Sequence, residues 1–154
     1  MDQFDKAFEE TKASCPNSGP ENILIIGDAS KALDSMRASL EVAGHNVSQV
    51  STISSFEEAV IQDEYNAIIS TTEPAHFAID QLFELLSLLA PSVPFIGFST
   101  SPNPTTIIEC IRYGCADFFC MPEDLKVIPE RVKMVLDLAR EAIFSQENAT
   151  QIAN

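Results

Sequence analysis

The sequence predicts one doubly wound α/β domain, with a five-stranded parallel sheet covered by helices on both faces. Two observations carry that class. Short apolar runs and amphipathic segments alternate five times between residues 22 and 144, and such alternation joins parallel strands through helical crossovers. The clearest runs are continuously apolar, as in Ile23-Leu24-Ile25-Ile26, which marks strands buried on both faces.

The first strand, Ile23-Leu24-Ile25-Ile26, stops at Gly27-Asp28. A helix over residues 30–43 follows, with Leu33, Met36, Leu40 and Ala43 at helical spacing and Gly44 as its stop. Val47 and Val50 mark a weaker second strand, and two overlapping capping boxes, Ser54 with Glu57 and Ser55 with Glu58, open a second helix. The third strand, Ala67-Ile68-Ile69, runs into Ser70-Thr71-Thr72-Glu73 before Pro74. Behind it, residues 77–89 form a helix with more leucines than one core-facing stripe needs. Phe95-Ile96-Gly97-Phe98 is the fourth strand, ending at Ser99, and residues 105–113 form a helix closed by Gly114. Asp117-Phe118-Phe119-Cys120 is a short fifth strand. The last helix is expected from about Pro129 to about Phe144.

Outside this core, residues 1–21 read as an extension and linker. Phe4, Ala7 and Phe8 line one side of a possible short helix, but a segment of that length is marginal alone and a frayed tail is the simpler expectation. Residues 22–145 form the domain, and residues 146–154 are a polar tail expected to fray. At 154 residues the chain suits a single domain.

Charge and cysteine content narrow the function classes. Lys plus Arg number 9 against 23 Asp plus Glu, a net charge of −14. That balance repels phosphate backbones and anionic membranes, so protein partners are expected and direct nucleic-acid binding is not. Cys15, Cys110, Cys115 and Cys120 fit neither a zinc spacing nor a disulfide framework and read as reduced packing residues of a cytoplasmic protein. There is no secretory n-region or h-region at the start, and no apolar run long enough to span a bilayer.

The order and punctuation of these segments resemble the receiver domain of two-component response regulators, the flavodoxin-like (βα)5 fold of the chemotaxis regulator. Four stretches carry the resemblance: Ile23-Leu24-Ile25-Ile26-Gly27-Asp28, Leu40-Glu41-Val42-Ala43-Gly44-His45-Asn46-Val47, Tyr113-Gly114-Cys115-Ala116-Asp117-Phe118, and Met121-Pro122, which stands where the family has Lys-Pro. The resemblance implies a phosphorylation pocket at the strand ends. It would hold an acceptor Asp after the third strand, two Mg²⁺-binding acids after the first, a hydroxyl after the fourth and a Lys after the fifth. Mg²⁺ and Lys neutralise charge during phosphoryl transfer.

This chain departs from that set. Gly27 takes one acidic place and Asp28 keeps the other; Thr71 stands at the acceptor position, with Ser70 next to it; Ser99 fits the hydroxyl position; Met121 replaces the Lys. A Thr hydroxyl without an adjacent base is a poor nucleophile, and Asp28 alone is at most a weak Mg²⁺ ligand. The expected reading is a degenerate pseudo-receiver with no catalytic residues, no cofactor and no enzymatic activity, in which Asp28 caps the first helix and Ser99 hydrogen-bonds Thr71. Phe118 reads either as the family's aromatic switch residue or as core, and the Met121-Pro122 bond is expected cis, as in the family.

Function then moves to the surface. On the last helix Val132, Val135, Leu136, Ala139 and Ile143 form a core stripe, Met134 and Leu138 a second apolar face, and Arg131, Lys133, Arg140 and Glu141 point outward. Receivers of this kind dimerise through the fourth helix, fifth strand and last helix, so a homodimer, another protein partner or an attached output domain is expected. Two alternatives remain open: a working receiver with displaced acids, using Glu73 or Asp80, although both are expected to point away from the pocket, and a flavodoxin-like ligand binder or enzyme. The Gly27-Asp28-Ala29-Ser30 turn lacks a phosphate-cradling loop for the latter.

Overall fold

A computed structural model describes residues 19–153; the expectations for Phe4, Ala7, Phe8 and Cys15 lie outside them. Strands β1 (Asn22–Ile26), β2 (Asn46–Val50), β3 (Ala67–Thr71), β4 (Phe95–Ser99) and β5 (Asp117–Cys120) form one sheet in the order β2-β1-β3-β4-β5. Every neighbouring pair is parallel. Four crossover helices make that possible: α1 (Lys31–Val42), α2 (Ile53–Gln62), α3 (Ile79–Leu89) and α4 (Pro104–Arg112). A 3-10 turn (Leu125–Val127) leads from β5 into α5 (Ile128–Ala153). This is the predicted doubly wound fold. Its strand order reverses between β1 and β3, so the crevice for a site opens at their carboxyl ends.

Side-chain alternation along each strand sorts the core into two layers. Ile23, Ile25, Ile69, Ile96 and Phe119 pack with Leu33, Met36 and Leu40 of α1 and with Ile128, Val132 and Leu136 of α5. Leu24, Ile26, Ile68 and Phe95 face the other way, onto Phe56 of α2, Leu82, Phe83 and Leu86 of α3 and Cys110 of α4. Each fully buried Ile or Leu contributes about 1.5–3 kcal/mol, so these two layers supply the main driving force for the fold.

Helix ends follow local chemistry, with some departures from expectation. Gly44 and Gly114 take φ of 98° and 87° and close α1 and α4, as left-handed C-caps do. The cap of α2 is Thr52, whose Oγ1 accepts the Ser55 N–H at 3.1 Å, not Ser54 or Ser55. Starting the helix at Ile53 lets that side chain pack against the core layer. Helix α3 begins at Ile79 rather than 77, where the Gln81 Oε1 accepts the Ala78 N–H at 3.1 Å, and α4 begins one residue early behind the Asn103 cap. Helix α5 continues to Ala153, well past Phe144, because residues 144–153 contain no Gly or Pro to stop it.

Two expectations for α5 need correction. Ile143 is exposed and Ala139 only half-buried, so among the described residues the last fully buried α5 side chain is Leu136. Arg131 and Arg140 do not simply point outward. Arg140 pairs with Glu21 ahead of β1 and with Asp137, and Arg131 is tied to β5, as described below. Asp117 and Phe118 thereby gain a partner from the helix packed beside them.

Candidate functional site

The strand ends place the predicted residues at one rim. Ile26 lies opposite Ser70, and Thr71 opposite Phe98, so Gly27, Thr71 and Ser99 emerge side by side. Gly27 is buried, and a Cβ there would come within 2.9 Å of Leu33 Cδ1 and 3.6 Å of Thr71 Cβ. An acid at position 27 would therefore have to displace Leu33.

Ser99 is buried, but its partner is not Thr71. Its hydroxyl donates to Glu73 Oε1 at 2.5 Å and accepts the Ser101 N–H at 3.0 Å. Thr71 Oγ1 accepts the Glu73 N–H at 3.2 Å, a local turn that folds the chain back over the strand end. That turn is why Glu73 reaches the rim instead of pointing away, as its distance past the strand suggests. Asp80, in contrast, lies exposed in the first turn of α3. The neighbouring hydroxyls serve the backbone: Ser70 donates to the Thr71 carbonyl at 3.0 Å, and Thr72 donates to the Phe98 carbonyl through Oγ1 at 3.3 Å and N–H at 3.0 Å.

Asp28 does not cap α1. Ser30 does, accepting the Leu33 N–H at 3.2 Å, while the Asp28 carboxylate meets His76 Nε2 at 3.0 Å. Glu73 and His76 belong to one loop, which is thus attached to β4 on one side and to the β1–α1 turn on the other. Among the described residues no group of three His, Cys, Asp or Glu side chains converges as a metal site. Gly27 offers no side-chain donor, and Asp28 and Glu73 are engaged elsewhere, so the donor set does not fit the Mg²⁺ that a working receiver pocket requires.

On the far side of the rim, the Met121 N–H donates to the Ser99 carbonyl at 2.8 Å, and the Met121-Pro122 bond is cis, as expected. The Met121 side chain is buried among Ile128, Val132 and their neighbours and has no charge to pair with an anion. Phe118 is half-buried against the α2–α4 layer. Its ring lies over Gly97, where a Cβ would meet Phe118 Cδ2 at 3.0 Å and Thr72 Cγ2 at 3.2 Å. Phe118 and Thr72 therefore share one space that only glycine leaves open.

Behind the rim, Arg131 clamps α5 to β5. Its Nε and Nη2 donate to Asp117 Oδ2 and Oδ1 at 2.9 and 2.5 Å, Nη2 also donates to the Phe118 carbonyl at 2.9 Å, and Nη1 lies 3.3 Å from Asp124. Its guanidinium sits 5.0 Å from the Phe119 ring centroid. The hydrogen bond to Asp117 holds the Arg131 pKa above its ordinary value, opposed by partial burial. No periodicity links an aspartate on a strand to an arginine on a helix 14 residues later, so the clamp left no mark in the sequence pattern; neither did the pairings of Glu73 and His76.

Exposed apolar side chains occur on several helices, Val42 on α1 and Ile61 on α2 among them, and recur on α4 and α5. Met134 and Leu138 are each 62% exposed, joined by Ile108, Ile111 and Tyr113; Leu88 and Leu89 at the end of α3 are also exposed. Three free cysteines occur among the described residues, Cys110, Cys115 and Cys120. Burial, then the neighbouring Cys115 and Glu109, push the Cys110 thiol up to about 11, so it packs rather than reacts. No described helix is long and apolar enough to cross a membrane.

No family model and no curated protein matches this chain. Solved structures do. A CheY-like response regulator receiver domain protein from Methanospirillum hungatei JF-1 superimposes with a TM-score of 0.70 at 19% identity, over 80% of this chain and 99% of that one. NtrX from Brucella abortus gives 0.76 at 17% identity, over 82% of this chain and only 29% of its own length. The non-phosphorylated HemR receiver domain from Leptospira biflexa gives 0.66 at 19% identity, over 75% of this chain and 94% of that one. At these identities the likeness is one of fold.

Proposed function

We propose that this chain, which has the receiver-domain fold, is a pseudo-receiver of a two-component or phosphorelay-type regulator that signals by protein contact without aspartate phosphorylation. The observation that carries the reading is the internal pairing of the rim: Ser99 with Glu73, Asp28 with His76, Thr71 with the Glu73 N–H. No carboxylate stands at Thr71, and the position of the charge-pairing lysine is the buried Met121. The module is non-enzymatic, needs no Mg²⁺, and works in the cytoplasm.

Its output runs through surface. The exposed Met134 and Leu138 on α5, with Ile108 and Ile111 on α4, form the face for a second copy, another protein or an attached output domain. With so acidic a chain, that face contacts protein rather than nucleic acid. A monomer in sedimentation at high concentration would remove the homodimer and leave the partner. The position of Glu73 favours one second reading, a displaced acceptor, because its carboxylate already lies on Ser99. Titration with beryllofluoride and Mg²⁺, followed by NMR, tests both. The pseudo-receiver reading expects no saturable shifts at Thr71, Ser99 and Phe118; saturable shifts there that a Glu73→Gln variant loses would establish the displaced acceptor.

A further inference from the structure

We propose that Glu73 is an internal ligand of the strand-end site, latching the β3–α3 loop onto Ser99 and thereby fixing the seat of Phe118. The inference rests on the pseudo-receiver reading and names how its site is held. Ser99 is 3% exposed, yet its hydroxyl is spent on a side chain from an otherwise exposed loop residue, through a 2.5 Å bond. A hydroxyl bonded to a carboxylate is stronger than a bond between neutral groups because the acceptor is ionised, and the buried Ser99 hydroxyl is costly to leave without a partner.

The consequence travels through Thr72, the residue before Glu73. Thr72 is buried and bonds the Phe98 carbonyl by both N–H and Oγ1. Its methyl and the Phe118 ring converge on the point above Gly97, at 3.2 and 3.0 Å. While Glu73 stays on Ser99, Thr72 forms the inner wall of the Phe118 seat. When the latch opens, Thr72 is held by its bonds to the Phe98 carbonyl alone, and the wall behind Phe118 loosens. His76 on Asp28 attaches the far end of the same loop, so the segment works as a strap fixed at two points. Both fixings are side-chain contacts rather than ladder bonds, and contacts of that kind open locally without unfolding the sheet. The Phe118 ring, packed against the α2–α4 layer, would thus be governed by a contact within the chain, in place of an added group.

A hydrogen-exchange and NMR cycle on the full chain tests this. Glu73→Ala and Ser99→Ala are each expected to speed exchange of the Thr72 amide by about tenfold, the scale of one charge-assisted hydrogen bond. Each is expected to move the Gly97 and Phe118 resonances, and the double variant should do no more than either alone. Glu73→Gln keeps only a neutral acceptor for the Ser99 hydroxyl and should fall between wild type and Glu73→Ala. Multiplying effects in the double variant, or Gly97 and Phe118 resonances unmoved in Glu73→Ala, would overturn the latch. Since Glu73 is exposed, its variants decide the matter even if Ser99→Ala fails to fold. A phosphodonor adduct on the wild-type chain would sink the pseudo-receiver reading without touching this cycle, so the two failures are distinguishable.

Discussion

Replacing Arg131 by alanine removes four polar contacts at once. The guanidinium bonds both Asp117 oxygens at 2.9 and 2.5 Å and the Phe118 carbonyl at 2.9 Å, and lies 3.3 Å from Asp124. Hydrogen bonds involving a charged group contribute about 1.5–3 kcal/mol each when buried. Here the Arg131 and Asp117 side chains are 30% and 22% exposed, so solvent screens part of that. The cation–π contact with Phe119 adds roughly 0.5–1 kcal/mol. The expected loss is about 2–3 kcal/mol, below the 3–5 kcal/mol or so of a fully buried broken pair. Urea denaturation should show a lower midpoint with an unchanged slope, and melting should fall by about 6–9 °C. Arg131→Lys should recover less than half, because an ammonium cannot span both carboxylate oxygens and the Phe118 carbonyl. A loss under about 0.5 kcal/mol, or full recovery by lysine, would mean the clamp is an ordinary surface pair.

Two further outcomes follow from packing. Gly97→Ala drives a methyl against Phe118 and Thr72 and should cost about 1–3 kcal/mol in chemical denaturation, with the largest NMR shifts at those two residues; a neutral substitution would show that the shared space is not tight. For Cys110, with its thiol near 11, roughly one molecule in ten thousand is thiolate at pH 7. Alkylation of the folded protein followed by peptide mapping should therefore leave Cys110 unmodified until denaturant is added, and rapid native-state labelling there would contradict its burial.

How far the fold could be read depended on the range of the interaction. The strands were legible because burial on both faces forces continuous apolar runs such as Ile23–Ile26, and the helix stops because Gly44 and Gly114 mark left-handed turns. The rim itself was legible for the same reason: once strands are parallel and in register, their ends converge, and Gly27, Thr71 and Ser99 must be neighbours. Side-chain direction beyond the strand ends was not. Glu73 turns inward because the Thr71 hydroxyl takes its N–H, and Asp28 finds a histidine far along the chain at position 76. Arg131 meets Asp117 through the packing of a helix on a strand. Such pairings leave no period in the sequence, because each depends on where two separate elements come to rest. Overlapping capping options misled in a different way: Ser54 and Ser55 both suit a cap, but Thr52 prevails because it lets Ile53 pack against the core layer.

The most direct measurement is intact mass spectrometry of the chain after incubation with acetyl phosphate and Mg²⁺, with acid and hydroxylamine treatment to identify an acyl phosphate. The internally paired rim, with Thr71 at the end of β3 and Met121 buried in the core, predicts no added mass of a phosphoryl group. A stoichiometric, hydroxylamine-labile adduct on any carboxylate of the rim would contradict it.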